Sequence, residues 1–495
     1  MSTIRFSGMA SGIDTESMVT ELMKAEETKM DNLEKDLQML EWQKEAWEEA
    51  NAKIYEFYTN DLYKMKQQST YMKNNATVSD TGIMQVTAGA TAIKGVHGFN
   101  VTQLAKGSYL TGKLTSTADN STTMSTLSAG AFASSDDITL KVSTDGGTTE
   151  TEVTINKDDT MAEVVEKLNT VSGINVSFDD EFDTLFFATE DTGADQTIQI
   201  NTSDADGDQL LQAFGFGLVN TATGTTGDNL QFTYQGETFE TSDNNVSING
   251  MEISFTGTGT TNVVIEQDVD AIYNEIKSFI ESYNELITYI NEKVYADDAD
   301  GYEPLTDEEK ESMTDDQIEI WEDTIKDSLL RRDSTLMSLT TSMREDLTNE
   351  NASAGSTFES LSMLGIVTGD YTERGLLHIN GDEDDPLYGA LENDLKEAIE
   401  SDPEEVAKLF SQIAEDIYND LTDRMASTDL SSAFTIYNDK QMDSDIEDIE
   451  DEMEDMEDYL IMIEDRYYSQ FTAMEQAIMQ LNQQSASLTS MLGGS

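Results

Sequence analysis

The sequence predicts an α+β protein whose terminal helices form a coiled coil, with nested discontinuous inner domains, one helix-rich and two β-rich or α+β. Three observations predict it. First, apolar residues near both ends recur at steps of three and four. Val19, Met23, Met30, Leu33, Leu37, Leu40, Trp47, Ile54, Tyr58 and Met65 do so at one end. Ile446, Ile449, Met453, Met456, Leu460, Ile463, Met474, Leu481, Leu488 and Met491 do so at the other. A 3.5-residue apolar period held this long marks a coiled-coil seam rather than the broader face of a core helix. Second, the chain between them breaks into short strands punctuated by glycine. Third, helical periodicity returns after Asp268. The order helix, β, α+β, β, helix reads as domains inserted within one another, both termini returning to one base.

Taken in order, Asp14 or Thr15 can cap the first helix, and Glu16 to about Tyr71 holds no Gly or Pro, as one helix or two nearly continuous ones require. From Asn74 short strands follow at Thr77-Val78, Met84–Val86 and Phe99–Val101. Two Thr/Ser/Gly-rich stretches, 111–128 and 220–228, bracket a more structured block. Inside it, Ile138, Leu140 and Val142 alternate with Val153 and Ile155 across the turn Asp145-Gly146-Gly147, a hairpin signal. Thr160 and Glu163 make a capping box before a helix expected over Met161–Val171, which Gly173 can close. Strands are expected at Ile174–Phe178, Leu185–Ala188 and Thr197–Ile200, completing a small α+β domain. A further β segment runs from Leu230 to Ile265. Then Ile272, Ile276, Phe279, Tyr283, Leu286, Ile290 and Val294 share one helical face, and helices with loops continue to about Ser432. The expected borders are 1–42 with 436–495 for a coiled-coil leg region and 43–73 with 268–435 for a helix-rich domain. A β-rich domain is expected over 74–115 with 228–267, and an inserted α+β domain over 116–227.

Composition narrows the function. The chain of 495 residues exceeds what one core supports. Its 99 acidic against 28 basic residues give a net charge of −71. Nucleic acid and anionic membranes are read through phosphates by Lys and Arg, so this surface argues against both as direct partners. Cysteine is absent, which excludes disulfides, thiolate nucleophiles and zinc–sulfur sites. Met1–Asp14 carries one Arg and no long apolar run, so no cleavable secretory signal is expected there, and no stretch reaches the roughly 18 apolar residues of a membrane span.

Catalytic and metal signals are weak. Ala296–Asp307 resembles half a calcium loop, but Ala stands at its first position and Pro304 lies inside it, so it reads as a polar turn. Asp382–Asp385 reads as a solvated loop. His97 and His378 lie far apart with no motif around either and read as surface or turn residues. Carboxylates are too abundant for any pair to identify an acid–base dyad. No enzyme activity and no cofactor are therefore expected. Trp47 lies on the seam, whereas Trp42 is the better candidate for a contact outside it. The acid-rich stretch 441–466, thirteen acids with one base, Arg466, disfavours close helix packing. Ordering each residue costs about 1–2 kcal/mol, so both termini are expected to be largely disordered in the free monomer and to fold on assembly.

Several segments together resemble the flagellar filament cap (hook-associated protein 2) family. They are Phe6–Glu16, Leu40–Trp47, Val101–Ala105, Ile248-Asn249-Gly250, Ser278–Leu286, Tyr302–Lys310, Arg332–Leu336, Leu364-Gly365-Ile366, Ser401–Val406 and Gln470–Glu475. They fall in the family's order across nearly the whole chain, most loosely over 111–245. The acid density of 443–465 is heavier than the family's. The resemblance implies a ring of subunits, a pentamer, at the tip of a growing flagellum, exported unfolded through the type III route without a cleaved signal. It implies that exported flagellin is retained, folded and polymerised beneath that ring. The implied assembly interface comprises the seam residues Val19, Met23, Met30, Leu33, Leu37, Leu40, Trp47, Ile54, Tyr58, Ile446, Ile449, Met453, Met456, Leu460 and Ile463. Phe471, Met474, Ile478, Leu481 and Leu488 are the expected contacts of a cytoplasmic export chaperone. Flagellin and the hook–filament junction protein are the other implied partners. The alternatives are a hook–filament junction protein, or a surface adhesin binding mucin or another glycan through the inserted domain.

Overall fold

Asp14 starts the first helix, its carboxylate accepting a hydrogen bond from the Ser17 amide at 3.1 Å and so satisfying one of the free N–H groups of the first turn. The computed structural model describes residues 14–348 and 357–492. Helix α1 (Thr15–Glu56) continues through a π-helical turn, Phe57–Leu62, into α2 (Tyr63–Met65). The wider turn rotates the side chains that follow it.

A β-rich stretch comes next: β1 (Asn74–Val78), β2 (Met84–Ala88), β3 (Gly95–Gln103) and β4 (Tyr109–Lys113). Then follow α3 (Met124–Leu127), β5 (Asp137–Ser143), β6 (Thr151–Asn156), α4 (Met161–Leu168), β7 (Ile174–Asp179), β8 (Thr184–Thr189), β9 (Thr197–Asn201), α5 (Ala205–Ala213) and β10 (Thr221–Thr226). Strands β11 (Leu230–Tyr234), β12 (Glu237–Thr241), β13 (Asn245–Ile248), β14 (Met251–Phe255) and β15 (Gly259–Gln267) complete it. The remainder is helical apart from one small hairpin: α6 (Val269–Val294), α7 (Asp307–Glu311), α8 (Asp315–Ser328), α9 (Ser334–Thr348), β16 (Ile366–Thr368), β17 (Leu377–Ile379), α10 (Asp394–Ser401), α11 (Pro403–Arg424) and α12 (Asp439–Leu492).

The chain divides into two compact units, residues 72–269 and residues 1–71 with 270–495. The first holds two hydrophobic cores. One lies between a five-stranded antiparallel sheet, β1-β15-β3-β11-β12, and a three-stranded sheet, β13-β14-β2. Aromatic rings fill it, with Phe99 stacked on Tyr234 at 4.7 Å and Phe232 against Phe255 at 4.9 Å. The other core joins the sheets β10-β9-β5-β6 and β4-β8-β7 to α4 and α5 through Leu140, Ile155, Leu168, Phe187, Ile200 and Phe214. The Thr160–Glu163 capping box forms as the spacing predicts. The helix ends earlier than expected because the Asn169 side chain receives the Val176 N–H at 2.7 Å and donates to its carbonyl at 2.9 Å. Gly215 packs so closely on the Lys113 carbonyl that a Cβ would lie 1.9 Å from its oxygen. The Thr/Ser/Gly-rich stretch 220–228, where no strand is expected, includes β10: Ala222 alternates inward into the core and the strand pairs with β9.

In the helical unit, α6 buries its predicted face, Ile272 through Val294. Phe57 stacks on Phe279 at 5.7 Å, and Tyr71 approaches Phe410 of α11 at 6.3 Å. Asn284 of α6 grips the small hairpin, receiving the Leu377 N–H and donating to its carbonyl, both at 2.8 Å.

Candidate assembly interface

Helices α1 and α12 form an antiparallel hairpin, because low-numbered residues of one meet high-numbered residues of the other. Near the end of α1, Trp47 stacks on Tyr437 at 5.3 Å with the rings 9° apart, just before α12 begins. One turn earlier Lys44 pairs with Asp443 at 2.7 Å, which holds the ammonium above its usual range. Farther along, Lys29 lies over the Tyr459 ring at 5.8 Å. Near the start of α1, Val19 and Met23 bury against Ile463, with Tyr459, Leu460, Tyr467, Tyr468 and Phe471 around them.

Between these anchors the seam is thin. Met30, Leu33, Leu37 and Leu40 on α1 are half-buried, as are Ile446, Ile449, Met453, Met456 and Leu460 on α12. On α12 the half-buried stripe continues at heptad spacing through Phe471, Met474 and Ile478. Leu481 and Leu488 then stand 63% and 59% exposed. One partner helix covers only part of an a/d stripe, so this pattern leaves apolar area available to further helices.

Two residues of the expected seam lie elsewhere. Ile54 is fully buried, and Tyr58 stacks on Tyr418 of α11 at 4.3 Å with its hydroxyl 3.0 Å from that of Thr422. They sit beside and within the π turn, which carries the helix from the hairpin into the body of the helical unit. Trp42, expected to reach outside the seam, is buried beneath the Lys326 ammonium, 4.7 Å from the ring.

Sequence reasoning missed three clusters. His97, expected at the surface, is buried, its Nδ1 2.9 Å from the Tyr234 hydroxyl and its Nε2 2.6 Å from the Ile93 carbonyl. His378 is held between Asp385 at 2.6 Å and Glu373 at 3.2 Å and stacks on Tyr388. The run Asp382–Asp385 is therefore no simple solvated loop: Asp382 and Asp384 both pair with Lys277. Burial pulls the Lys277 ammonium down, but these two carboxylates outweigh it and raise it above its usual range. The His97–Tyr234 and Lys277 contacts join residues distant in sequence, and the His378 partners, though near it in the chain, follow no recognised motif.

At the α9–α11 contact, Asp346 keeps a buried carboxylate oxygen without a hydrogen-bond partner. Burial, followed by the charges of Asp420 and Asp416, pushes its pKa up to about 6. Arg424 ties the neighbouring Asp420 at 2.8 Å, and Ser342 donates to the same carboxylate at 2.7 Å. Asp298, in the stretch resembling half a calcium loop, pairs with Arg331 at 3.0 Å. Among the described residues no group of three or more His, Cys, Asp or Glu is placed to hold a metal ion, and no helix is long and apolar enough to cross a membrane.

Comparison with known proteins places this architecture. The model of the flagellar hook-associated protein 2 C-terminus matches residues 227–483, and that of its N-terminus matches residues 11–108. A flagellar hook-associated protein 2 of Halalkalibacterium halodurans is 27% identical over 98% of this chain and 99% of its own length. An A-type flagellar hook-associated protein 2 of Pseudomonas aeruginosa is 26% identical over 98% and 96%. The crystal structure of the D1-D2-D3 domains of the flagellar cap protein from Escherichia coli shares the fold. It aligns with a TM-score of 0.54 at 20% identity, covering 78% of this chain and 97% of that one.

Proposed function

The chain belongs to the flagellar hook-associated protein 2 family of filament cap proteins, and from that premise we propose that it caps the growing filament as a homo-oligomeric ring, a pentamer. In this reading the ring retains exported flagellin and promotes its folding and polymerisation, a structural role without catalysis. The terminal segments 1–42 and 436–495 act as legs on the filament, and the inner domains form a plate over its end. The chain leaves by the flagellar type III route. Before export a cytoplasmic chaperone covers Phe471, Met474, Ile478, Leu481 and Leu488; the exposure of the last two leucines supports such a contact. The hook–filament junction protein is its first seat.

The observation that carries this reading is the half-buried heptad stripe of α1 and α12, apolar area that a single hairpin does not cover. Sedimentation of the full chain tests it. A concentration-dependent oligomer that Ile463→Asp dissolves is the expected result, while a monomer at every concentration contradicts it.

A second reading, adhesion to a glycan, is favoured by one feature. Tyr109 and Phe186, 55% and 43% exposed, project from the same face of paired strands β4 and β8. Exposed rings of this kind offer apolar faces on which a sugar ring can stack, and the Tyr109 hydroxyl adds a hydrogen-bonding group. Binding of the full chain to a glycan array, lost in Tyr109→Ala/Phe186→Ala, would support it, and no binding would remove it.

A further inference from the structure

Helix α1 has a second lysine face that the hairpin does not use, and an acidic segment covers it. Lys35 pairs with Glu309 at 3.0 Å and with Glu303 at 3.9 Å, Lys24 reaches Glu308 at 3.4 Å, and Lys326 of α8 lies over Trp42. The covering segment, residues 302–326, is tied to itself. Trp321 donates to the Glu303 carbonyl at 2.8 Å and packs on Tyr302 at 4.5 Å, and Lys310 of α7 pairs with Glu322 of α8 at 2.9 Å. A capping box from Thr306 to Glu309 fixes the start of α7.

Its hold on the rest of the molecule runs through few side chains, the buried Pro304 and Ile325 and the Lys326 ammonium over Trp42. Helix α7 buries no residue and α8 buries only Ile325. The Lys24–Glu308 pair is 71% and 83% exposed, and exposed ion pairs contribute little. Glu34 of α1 also faces Asp307; burial first, and then the charges of Asp31 and Asp307, raise its pKa. Like charges thus meet across the same contact. The segment is tied within itself and attached to α1 through a small number of contacts.

We infer that residues 302–326 are a detachable strap that occupies the Lys24–Lys35–Trp42 face of α1 in the free chain and yields it to α12 of a second copy during assembly. Charge selects that occupant. Helix α12 displays Glu447, Asp448, Asp451, Glu454, Asp455 and Asp458 to solvent. Two such ridges repel one another, and a lysine-bearing face is the complementary surface for them. The strap fills that face with the same chemistry, Glu303, Asp307, Glu308 and Glu309. Displacing it restricts α1 to a partner that supplies a comparable acidic helix. The inference rests on the assembly proposed above.

The chain has no cysteine, so Lys24→Cys/Glu308→Cys in the full protein gives one defined pair for a short bismaleimide, and Lys35 stays in place. Oligomerisation is followed by light scattering before and after cross-linking. The cross-linked chain is expected to need at least about tenfold higher concentration to assemble than the same variant untreated. Glu303→Gln/Glu309→Gln, which loosens the strap, is expected to assemble at lower concentration than the native chain. Equal assembly of cross-linked and untreated chains overturns the strap while leaving the ring intact. A native chain that never assembles overturns the ring reading, and the strap with it.

Discussion

At Asp346 a single carboxyl sets a pH dependence on the α9–α11 contact. Its pKa is raised to about 6, above the ordinary carboxylate value, so the folded chain holds this proton more tightly than the unfolded one. The stabilisation is fully present below the unfolded pKa and is lost as pH rises through about 6. Asp346→Asn keeps the shape without the charge. Because the side chain is partly solvated, the expected gain is about 1 kcal/mol at pH 8, vanishing near pH 4. Hydrogen exchange at α9 checks both the size and the sign. Trp47 makes the opposite prediction: its stack on Tyr437 closes the base of the hairpin, and Trp47→Ala is expected to cost about 3 kcal/mol there, read as faster exchange in Asp439–Met453. Single residues were the least legible part of the sequence. His97 and His378 look alike as isolated histidines, yet one bonds to a tyrosine on β11 and the other to two carboxylates of neighbouring loops. Tyr234 lies 137 residues from His97, whereas Glu373 and Asp385 lie close to His378 in sequence and reach it only through the chain reversals on either side of β17.

Elements were read better where a period is long or a cap is local. The heptad spacing marked α1 and α12, and the box Thr160–Glu163 marked α4, because both signals are properties of one segment. The π turn at Phe57–Leu62 carries no such signal, and it moves Tyr58 from the expected seam to α11. Strand β10 was hidden by its Thr-Gly composition, which lacks the apolar alternation of a strand, and only its pairing with β9 reveals it. The hairpin itself is held by few fully buried residues, Val19, Met23 and Ile463, among half-buried neighbours. The free monomer is therefore expected to exchange amide hydrogens faster over 15–40 and 446–492 than in the cores of residues 72–269, with protection gained on assembly. Uniform protection in the monomer would count against coupled folding and assembly. Ile463→Asp should raise exchange along both hairpin helices and leave the β-rich unit unchanged.

For the whole molecule, the extreme acidity and the thin seam act together. A chain of net charge −71 resists association unless specific apolar and lysine-bearing faces outweigh the repulsion. Composition changes sharply near Asn74 and Asp268, where the two compact units meet in sequence, so this division was legible. The number of copies was not, because the same heptad stripe serves bundles of several sizes. The central claim, that this chain retains flagellin at the filament tip, is tested most directly by locating flagellin in cells lacking the gene and in cells complemented with it. Hooks without filaments and monomeric flagellin in the medium, reversed by the native chain but not by Ile463→Asp, is the predicted result. Normal filaments in the deleted cells would contradict it.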